Sequence, residues 1–431
     1  NIITISLLNI NENNSHYYPG PFDGMELLVM KNLVVPLSLL LGSGSIVAQT
    51  PTLDEMWELI QKQQIEIQQL KAELASTDDQ LKITDLKVEA TADALEQEST
   101  DKIQLGWATR TQIRGYGEHH YNNFEDTNDQ VDAHRFVLFV GHQFNDKVRM
   151  FSELEIEHGL VVDTADGSGP GEVELEQAYI EWDFAERHRL QLGQFLIPVG
   201  IINETHEPTT FYGVERNPVE KDIIPATWWE TGAQVMGEIT GGFSYNVALH
   251  SGLKTSDGGK IRSGRQKSAK ATADELAFTA RLKYTAIPGL ELAATLQLQQ
   301  SVTQGLGIGD NEATLFETHA AYRNGPLGLR ALYAAWNIDG DTFETMGRDE
   351  QEGFFLEGSY QITPKLGAFV RYNEWDNSAS GNLDTALEQW DFGFNYWLHD
   401  GVVLKLDYSD QEAEDGDNGK DAINLGVGWN F

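Results

Sequence analysis

The chain has 431 residues, with 30 lysines and arginines against 67 aspartates and glutamates, a formal charge of −37. That excess of acid excludes wholesale binding to nucleic-acid phosphates, and the absence of cysteine excludes a disulfide framework and any thiolate metal or redox centre. A mean hydropathy of −0.37 does not exclude a membrane protein, because a transmembrane barrel needs only alternate residues to be apolar.

Residues 1–29 begin with Asn1 and match no export pattern, so they read as an over-extended gene start. Met30 and Lys31, the apolar run from Leu33 to Leu41 and the small residues leading to Ala48 have the three parts of a secretory signal peptide. This assigns residues 30–48 to the signal and starts the mature chain near Gln49. The apolar run is far shorter than the ~20 residues of a membrane-spanning helix.

A seven-residue repeat follows, with Leu53, Ile60, Ile67, Leu74, Leu81, Val88 and Leu95 in one column and Met56, Gln63, Leu70, Thr77, Thr84 and Thr91 in the other. It predicts an α-helical coiled coil over residues 49–100, a rod of ~65 Å if fully helical. Nothing nearby offers another apolar surface for the stripe, so self-association and a homo-oligomer are expected. The alternative is a helix folded back on itself or on the following domain.

After Trp107 the period falls to two and stays so to Phe431. Ile423, Leu425, Val427, Trp429 and Phe431 alternate with Asn424, Gly426, Gly428 and Asn430, and Trp390 to Leu398, Val402 to Tyr408, Leu290 to Leu298 and Phe278 to Tyr284 follow the same rule. Such dyads suit a wall with lipid on one face and water on the other. Turn chemistry marks seven tight connections, at residues 145–147, 186–188, 240–242, 287–289, 324–326, 363–365 and 399–401. Eight longer polar loops lie near residues 122–131, 160–172, 200–228, 254–274, 300–311, 337–352, 375–385 and 409–421. Together they join sixteen strands into an all-β antiparallel transmembrane barrel over residues 101–431, with the tight turns on the periplasmic side. A soluble sandwich has no reason to segregate loop lengths in this way.

The third loop is long, carries three prolines and has no lasting period, which marks it as a functional segment. It is expected to fold into the bore and set the width and charge of a pore. The strand from Arg189 to Gly200 running into this loop, the later Trp228-Trp229-Glu230-Thr231-Gly232 and the aromatic terminus Trp429-Asn430-Phe431 resemble the phosphate-selective porin O and P family over roughly residues 107–431. The resemblance implies a sixteen-stranded trimeric porin of the bacterial outer membrane, with a terminal aromatic read by the assembly machinery and, in phosphate-selective members, arginines and a lysine cluster in the pore.

Candidate constriction residues in the third loop are Glu204, His206, Glu207, Glu215, Arg216, Glu220, Lys221 and Asp222. Strand parity turns Arg110, Arg114, Arg135, Arg149, Arg189, Arg281, Lys283, Arg330, Arg371 and Lys405 into the bore. The same parity turns in Glu153, Glu155, Glu157, Glu181, Asp183, Glu238, Glu291, Glu357, Asp391 and Asp407, so charges of both signs line the lumen. A concentrated basic segment, Lys254, Lys260, Arg262, Arg265, Lys267 and Lys270, is expected to capture anions at the vestibule, by analogy with the lysine cluster of the resembled family. The plainer account is a solvated loop or one that touches lipopolysaccharide phosphates.

No G-x-S-x-G, H-E-x-x-H, P-loop or Rossmann fingerprint occurs, so no enzyme is expected. Glu204, His206 and Glu207 on one loop do not by spacing make a metal site, and no cofactor is expected. The chain therefore reads as a passive diffusion porin for small hydrophilic solutes, with phosphate or another small anion favoured. A general or cation-preferring porin, or a structural anchor between outer membrane and cell wall through peptidoglycan contacts of the rod, are the alternatives.

Overall fold

The computed structural model describes residues 108–125, 127–159, 171–255, 259–307, 309, 311–381, 385–413 and 420–431, with Lys62 and Lys71. The gene start, the signal peptide and the heptad rod expected over residues 1–100 lie outside the described residues. So do the second long loop at 160–170 and the tip of the last at 414–419.

Sixteen strands form one closed barrel. They are β1 (Thr111–Phe124), β2 (Gln130–Gln143), β3 (Val148–Glu157), β4 (Val173–Ala185), β5 (His188–Leu196), β6 (Trp229–Glu238), β7 (Phe243–His250) and β8 (Ala277–Tyr284). The second half comprises β9 (Leu290–Gln299), β10 (Ala313–Asn324), β11 (Leu327–Ile338), β12 (Glu350–Thr363), β13 (Leu366–Asp376), β14 (Leu387–His399), β15 (Val402–Ala413) and β16 (Ala422–Asn430). Each strand pairs antiparallel with its neighbours in sequence, and β1 closes on β16 from Tyr116↔Asn430 to Phe124↔Ala422. Closure removes every sheet edge, so the backbone polar groups are satisfied within the sheet, as a hydrocarbon environment requires. No helix among the described residues is long and apolar enough to cross a membrane.

All seven tight turns stand where turn chemistry put them, and the first long loop is shorter than its composition suggests. There β1 runs on to Phe124 and β2 starts at Gln130, because Tyr121 and Asn123 both hydrogen-bond Asp129 and hold the rim together. Period two sorts the faces: Leu154, Leu192, Leu282, Leu296, Phe394, Leu406 and Leu425 point out and are exposed. Arg135, Glu153, Glu155, Arg281, Glu357, Arg371 and Asp407 point in and are buried.

The inner wall is not charged and polar throughout. Leu315, Leu332, Ala334, Trp336 and Phe355 face inward on β10, β11 and β12, and they form a core with Val199, Val219, Ile223, Ile224 and Trp228 of the third long loop. The apolar positions are there because the loop, rather than water, covers them.

Candidate functional site

The third loop (residues 197–228, hereafter L3) is folded by its own polar side chains before it meets the wall. Asn203 closes its neck: Nδ2 donates to the carbonyls of Ile197 and Trp228 at 2.8 and 3.0 Å, and Oδ1 accepts from the Trp228 amide at 2.7 Å. Glu220, at the π-helical turn Val219–Ile223, is fully buried and accepts the amides of Ile201 and Ile202 on Oε1 at 2.6 and 2.7 Å. Its Oε2 accepts Asn217 Nδ2 at 2.9 Å, and its own amide donates back to Asn217 Oδ1 at 2.8 Å. Burial pushes the Glu220 carboxyl above the usual carboxylate range, against the pull of the Ile202, Asn217 and Ile201 donors. Gly200 sits at φ +70°, and a Cβ there would stand 2.4 Å from Glu220 Oε1, so both conformation and space demand glycine.

Side chains from distant strands then fix L3 across the bore. Trp336 Nε1 donates to the Ile223 carbonyl at 2.9 Å. Asn395 Nδ2 reaches the Phe211 carbonyl at 3.1 Å, and Lys405 Nζ reaches that of Gly213 at 2.7 Å while lying 3.7 Å from the centre of the Phe211 ring. Asp407 Oδ2 accepts the Val214 amide at 2.6 Å, and on β1 His120 Nδ1 meets Glu215 Oε1 at 3.0 Å. The loop is thus tied both to β11–β15 and to the closing strand.

Most of the inward basic residues expected from parity are paired. Arg135 lies between Glu118 (2.8 Å) and Glu155 (3.1 Å), Arg149 pairs with Asp183 (2.7 Å) and Glu181, and Arg189 stands 3.5 Å from Glu181. Arg281 pairs with the loop's Glu204, Lys283 with Glu291 (3.1 Å), Arg330 with Glu357 (3.8 Å), and Arg371 with Glu357 (3.3 Å) and Asp391 (2.9 Å). Arg114 bonds Gln112 and lines a cavity of ≈ 560 Å³ on the tight-turn side of L3, with Glu207 and Thr210 of the loop on the opposite side. In L3 itself, Lys221 is exposed and Asp222 is half-buried.

The basic segment after β7 does not act as one set. Lys260 and Lys270 are exposed, Lys254 bonds Thr272, and Lys267 pairs with Glu172 and Glu174. Arg262 and Arg265 alone turn onto L3: Arg262 Nη1 donates to the carbonyls of Lys221 (2.7 Å) and Ala226 (2.8 Å), and Arg265 Nη1 to that of Thr227 (2.6 Å). Arg216 Nη1 donates to Thr227 Oγ1 at 2.6 Å. Burial lowers the proton affinity of Arg262 and Arg265; for Arg262 the next contribution is the positive charge of Arg265, and for Arg265 it is the opposing negative charge of Glu174, followed by the positive charge of Arg216.

Parity missed two carboxylates. Read straight along β4, the inward set of Glu181 and Asp183 places Glu174 and Glu176 outside. Pairing instead runs Glu153↔Gln177 and then Leu154↔Leu175, leaving Glu176 as an extra residue in a bulge, so Glu176 and Gln177 both turn inward and Glu174 follows. The resulting wall carries Glu153, Glu155 and Glu157 on β3 beside Glu174 and Glu176 on β4. His206, expected on the loop beside Glu204 and Glu207, is buried against this wall instead, with Nε2 3.4 Å from both Glu153 Oε1 and Glu176 Oε2. An inward aromatic strip, Tyr116, Phe139, Phe151 and Tyr179, crosses β1 to β4 with ring centroids 5.6–5.7 Å apart; its spacing in the sequence gives no sign of it.

The model of the family described as phosphate-selective porin O and P matches residues 112–426. An uncharacterised protein of Aquifex aeolicus (strain VF5) is 29% identical over 354 residues, 74% of this chain and 79% of that one. Among solved structures, the outer membrane channel DcaP of Acinetobacter baumannii aligns with TM-score 0.55 at 14% identity, over 74% of this chain and 97% of that chain. An anion-selective porin from Comamonas acidovorans aligns with TM-score 0.53 at 12% identity, over 74% and 99%. OmpT of Vibrio cholerae, in a form described as a trimer, aligns with TM-score 0.50 at 10% identity, over 74% and 99%.

Proposed function

Because the chain belongs to the phosphate-selective porin O and P family of outer-membrane channels, we propose that it is a passive diffusion porin that favours small oxyanions, phosphate among them. The observation that carries this reading is the guanidinium group of Arg216, Arg262 and Arg265. Among the described residues none of the three has a carboxylate within 4.0 Å, and all donate to neutral oxygens of L3. Arg216 Nη2 and Arg265 Nε have no hydrogen-bond partner at all. Guanidinium forks match the geometry of phosphate oxygens, and positive charge with no carboxylate in direct contact is what a passing anion meets, although Glu174 and Asp222 act on Arg265 and Arg262 from farther off. The total charge of −37 does not set the sign of selectivity, since charges beyond the ~8 Å Debye length are screened.

The carboxylates on β3 and β4 favour a second reading, a cation-preferring or general porin with a field across the constriction. One measurement separates the two: the single-channel reversal potential in a salt gradient, repeated with Arg216, Arg262 and Arg265 replaced by Gln. A shift towards cations in the variant supports anion selection at this cluster; an unchanged potential overturns it. A bore without conductance would instead favour the structural anchor. We further propose a homotrimer, as in the OmpT neighbour, embedded among lipid and lipopolysaccharide. In this reading the heptads over residues 53–95 form a periplasmic rod towards peptidoglycan behind a cleaved signal peptide.

A further inference from the structure

His206 of L3 is buried against the carboxylates of β3 and β4, and the three atoms that meet there are unusual. Glu153 Oε1, Glu176 Oε2 and His206 Nε2 belong to side chains at most 3% exposed, and none of the three has a hydrogen-bond partner. They lie within 4.8 Å of one another, with Nε2 3.4 Å from each oxygen. A charge-assisted N–H···O bond is ~2.7–2.9 Å long, so an imidazolium bonded to either carboxylate would draw closer. Ligand bonds of ~2.0–2.1 Å at the tetrahedral angle separate neighbouring donors by about 3.3–3.4 Å, which is the spacing found.

The surroundings hold these atoms in ligand form. His206 Nδ1 donates to the Asn203 carbonyl at 3.2 Å, which leaves Nε2 as the ring nitrogen that faces the carboxylates and would take a metal ion. Gln177 Nε2 donates to Glu153 Oε2 at 2.6 Å and directs Oε1 inward. Both are the outer contacts that orient metal ligands. The β4 bulge supplies Glu176, which regular pairing would have turned towards lipid. Arg135 is spent on Glu118 and Glu155, so the two buried carboxylates converge on the His206 ring; a single imidazolium leaves them with net negative charge, which a divalent ion would cancel as it displaced the Nε2 proton.

We propose that Glu153, Glu176 and His206 bind one divalent first-row transition-metal ion, of which Zn²⁺ is the probe, and that the ion cross-links L3 to the β3–β4 wall. One nitrogen and two carboxylate oxygens suit such an ion and leave a coordination position for water, whereas Ca²⁺ needs six to eight oxygens. This assignment does not depend on the sign of ion selectivity.

The test uses the full-length, tag-free protein, stripped with EDTA in detergent and titrated with Zn²⁺ by calorimetry and equilibrium dialysis. Native protein should bind one Zn²⁺ per chain more than the His206→Ala variant, and Glu153→Gln should weaken that site about a hundredfold or more. Calcium at equal concentration should not displace the zinc. Zinc should also slow amide exchange at the L3 neck in the native chain and not in the variants, with heat-modifiable gel mobility confirming that each barrel is folded. Equal zinc stoichiometry and affinity in native and His206→Ala proteins overturn the proposal, as does calcium binding at the same site with equal strength.

Discussion

Replacing Glu220 by Ala removes the acceptor of the Ile201 and Ile202 amides together with the partner of Asn217, at a position with no exposed surface. An unpaired buried amide costs ~1–3 kcal/mol, so two cost about 2–6 kcal/mol. The barrel closes its hydrogen bonds without this loop, so the loss falls on the seating of L3. Since each ~1.4 kcal/mol is tenfold in an equilibrium constant, the unseated population should rise between about 30-fold and 10⁴-fold. Hydrogen exchange at Ile201 and Ile202 reads this directly, and open-channel current noise should rise with it, while gel mobility of the folded barrel stays unchanged. Glu220→Gln keeps one acceptor oxygen and should lose less. Gly200→Ala is harmful in the native chain through φ and through contact with Oε1; in the Glu220→Ala background that contact is gone and only Ile224 Cδ1, 3.2 Å from the added Cβ, remains, so the two effects should add to less than their sum. Native exchange protection at Ile201 and Ile202 in Glu220→Ala would refute the reasoning.

Because the folded pKa of Glu220 lies above its value in water, its contribution to seating is complete at acid pH, below the unfolded value, and is lost as pH rises through the raised one; amide protection in L3 should therefore fall from acid to neutral pH, and Glu220→Gln should flatten that slope. Asn203→Ala removes three hydrogen bonds at the L3 neck and should destabilise seating by about 3 kcal/mol, read as faster exchange at Trp228. Arg placed at the lipid-facing Leu282 or Phe394 should destabilise the barrel by ~2–4 kcal/mol in urea-unfolding titrations into bilayers, and Arg at the inward Ser359 should cost less; equal costs would contradict the assignment of faces. Deleting residues 50–100 should leave conductance intact, since the barrel closes on itself, and abolish attachment to peptidoglycan in a sedimentation assay; lost conductance would show that the segment shapes the bore.

The strands were legible because their signals are local: period two, and turn chemistry at residues such as Asn145, Gly241, Pro288 and Pro364. L3 stood out for its length and prolines. Contacts over long separations left no comparable trace. Nothing in the sequence marks Trp336 as the partner of the Ile223 carbonyl, and Lys405 reads as pore lining when it holds the Gly213 carbonyl. A single inserted residue at Glu176 was enough to defeat parity on β4, because a bulge shifts every side chain beyond it to the other face. Arg262 and Arg265 were found by composition, but their separation from Lys260 and Lys270 depends on how the loop folds over L3.

The apolar patch on the inner face of β10–β12 makes the lumen two-sided. Where L3 packs, apolar side chains of loop and wall fill the space; the ≈ 560 Å³ cavity lies instead against strands from the opposite half, among Arg114, Tyr179, Glu181 and Gln234. The lining of that cavity thus comes from β1–β6, L3 and the chain's C-terminal residues, and from none of β10–β12. An engineered barrel stripped of L3 would not simply become a wider pipe: Leu315, Trp336 and Phe355 would face open water, and an apolar lining of that kind expels water rather than conducting ions. Widening this channel thus calls for polar replacements on the far wall together with a shorter loop.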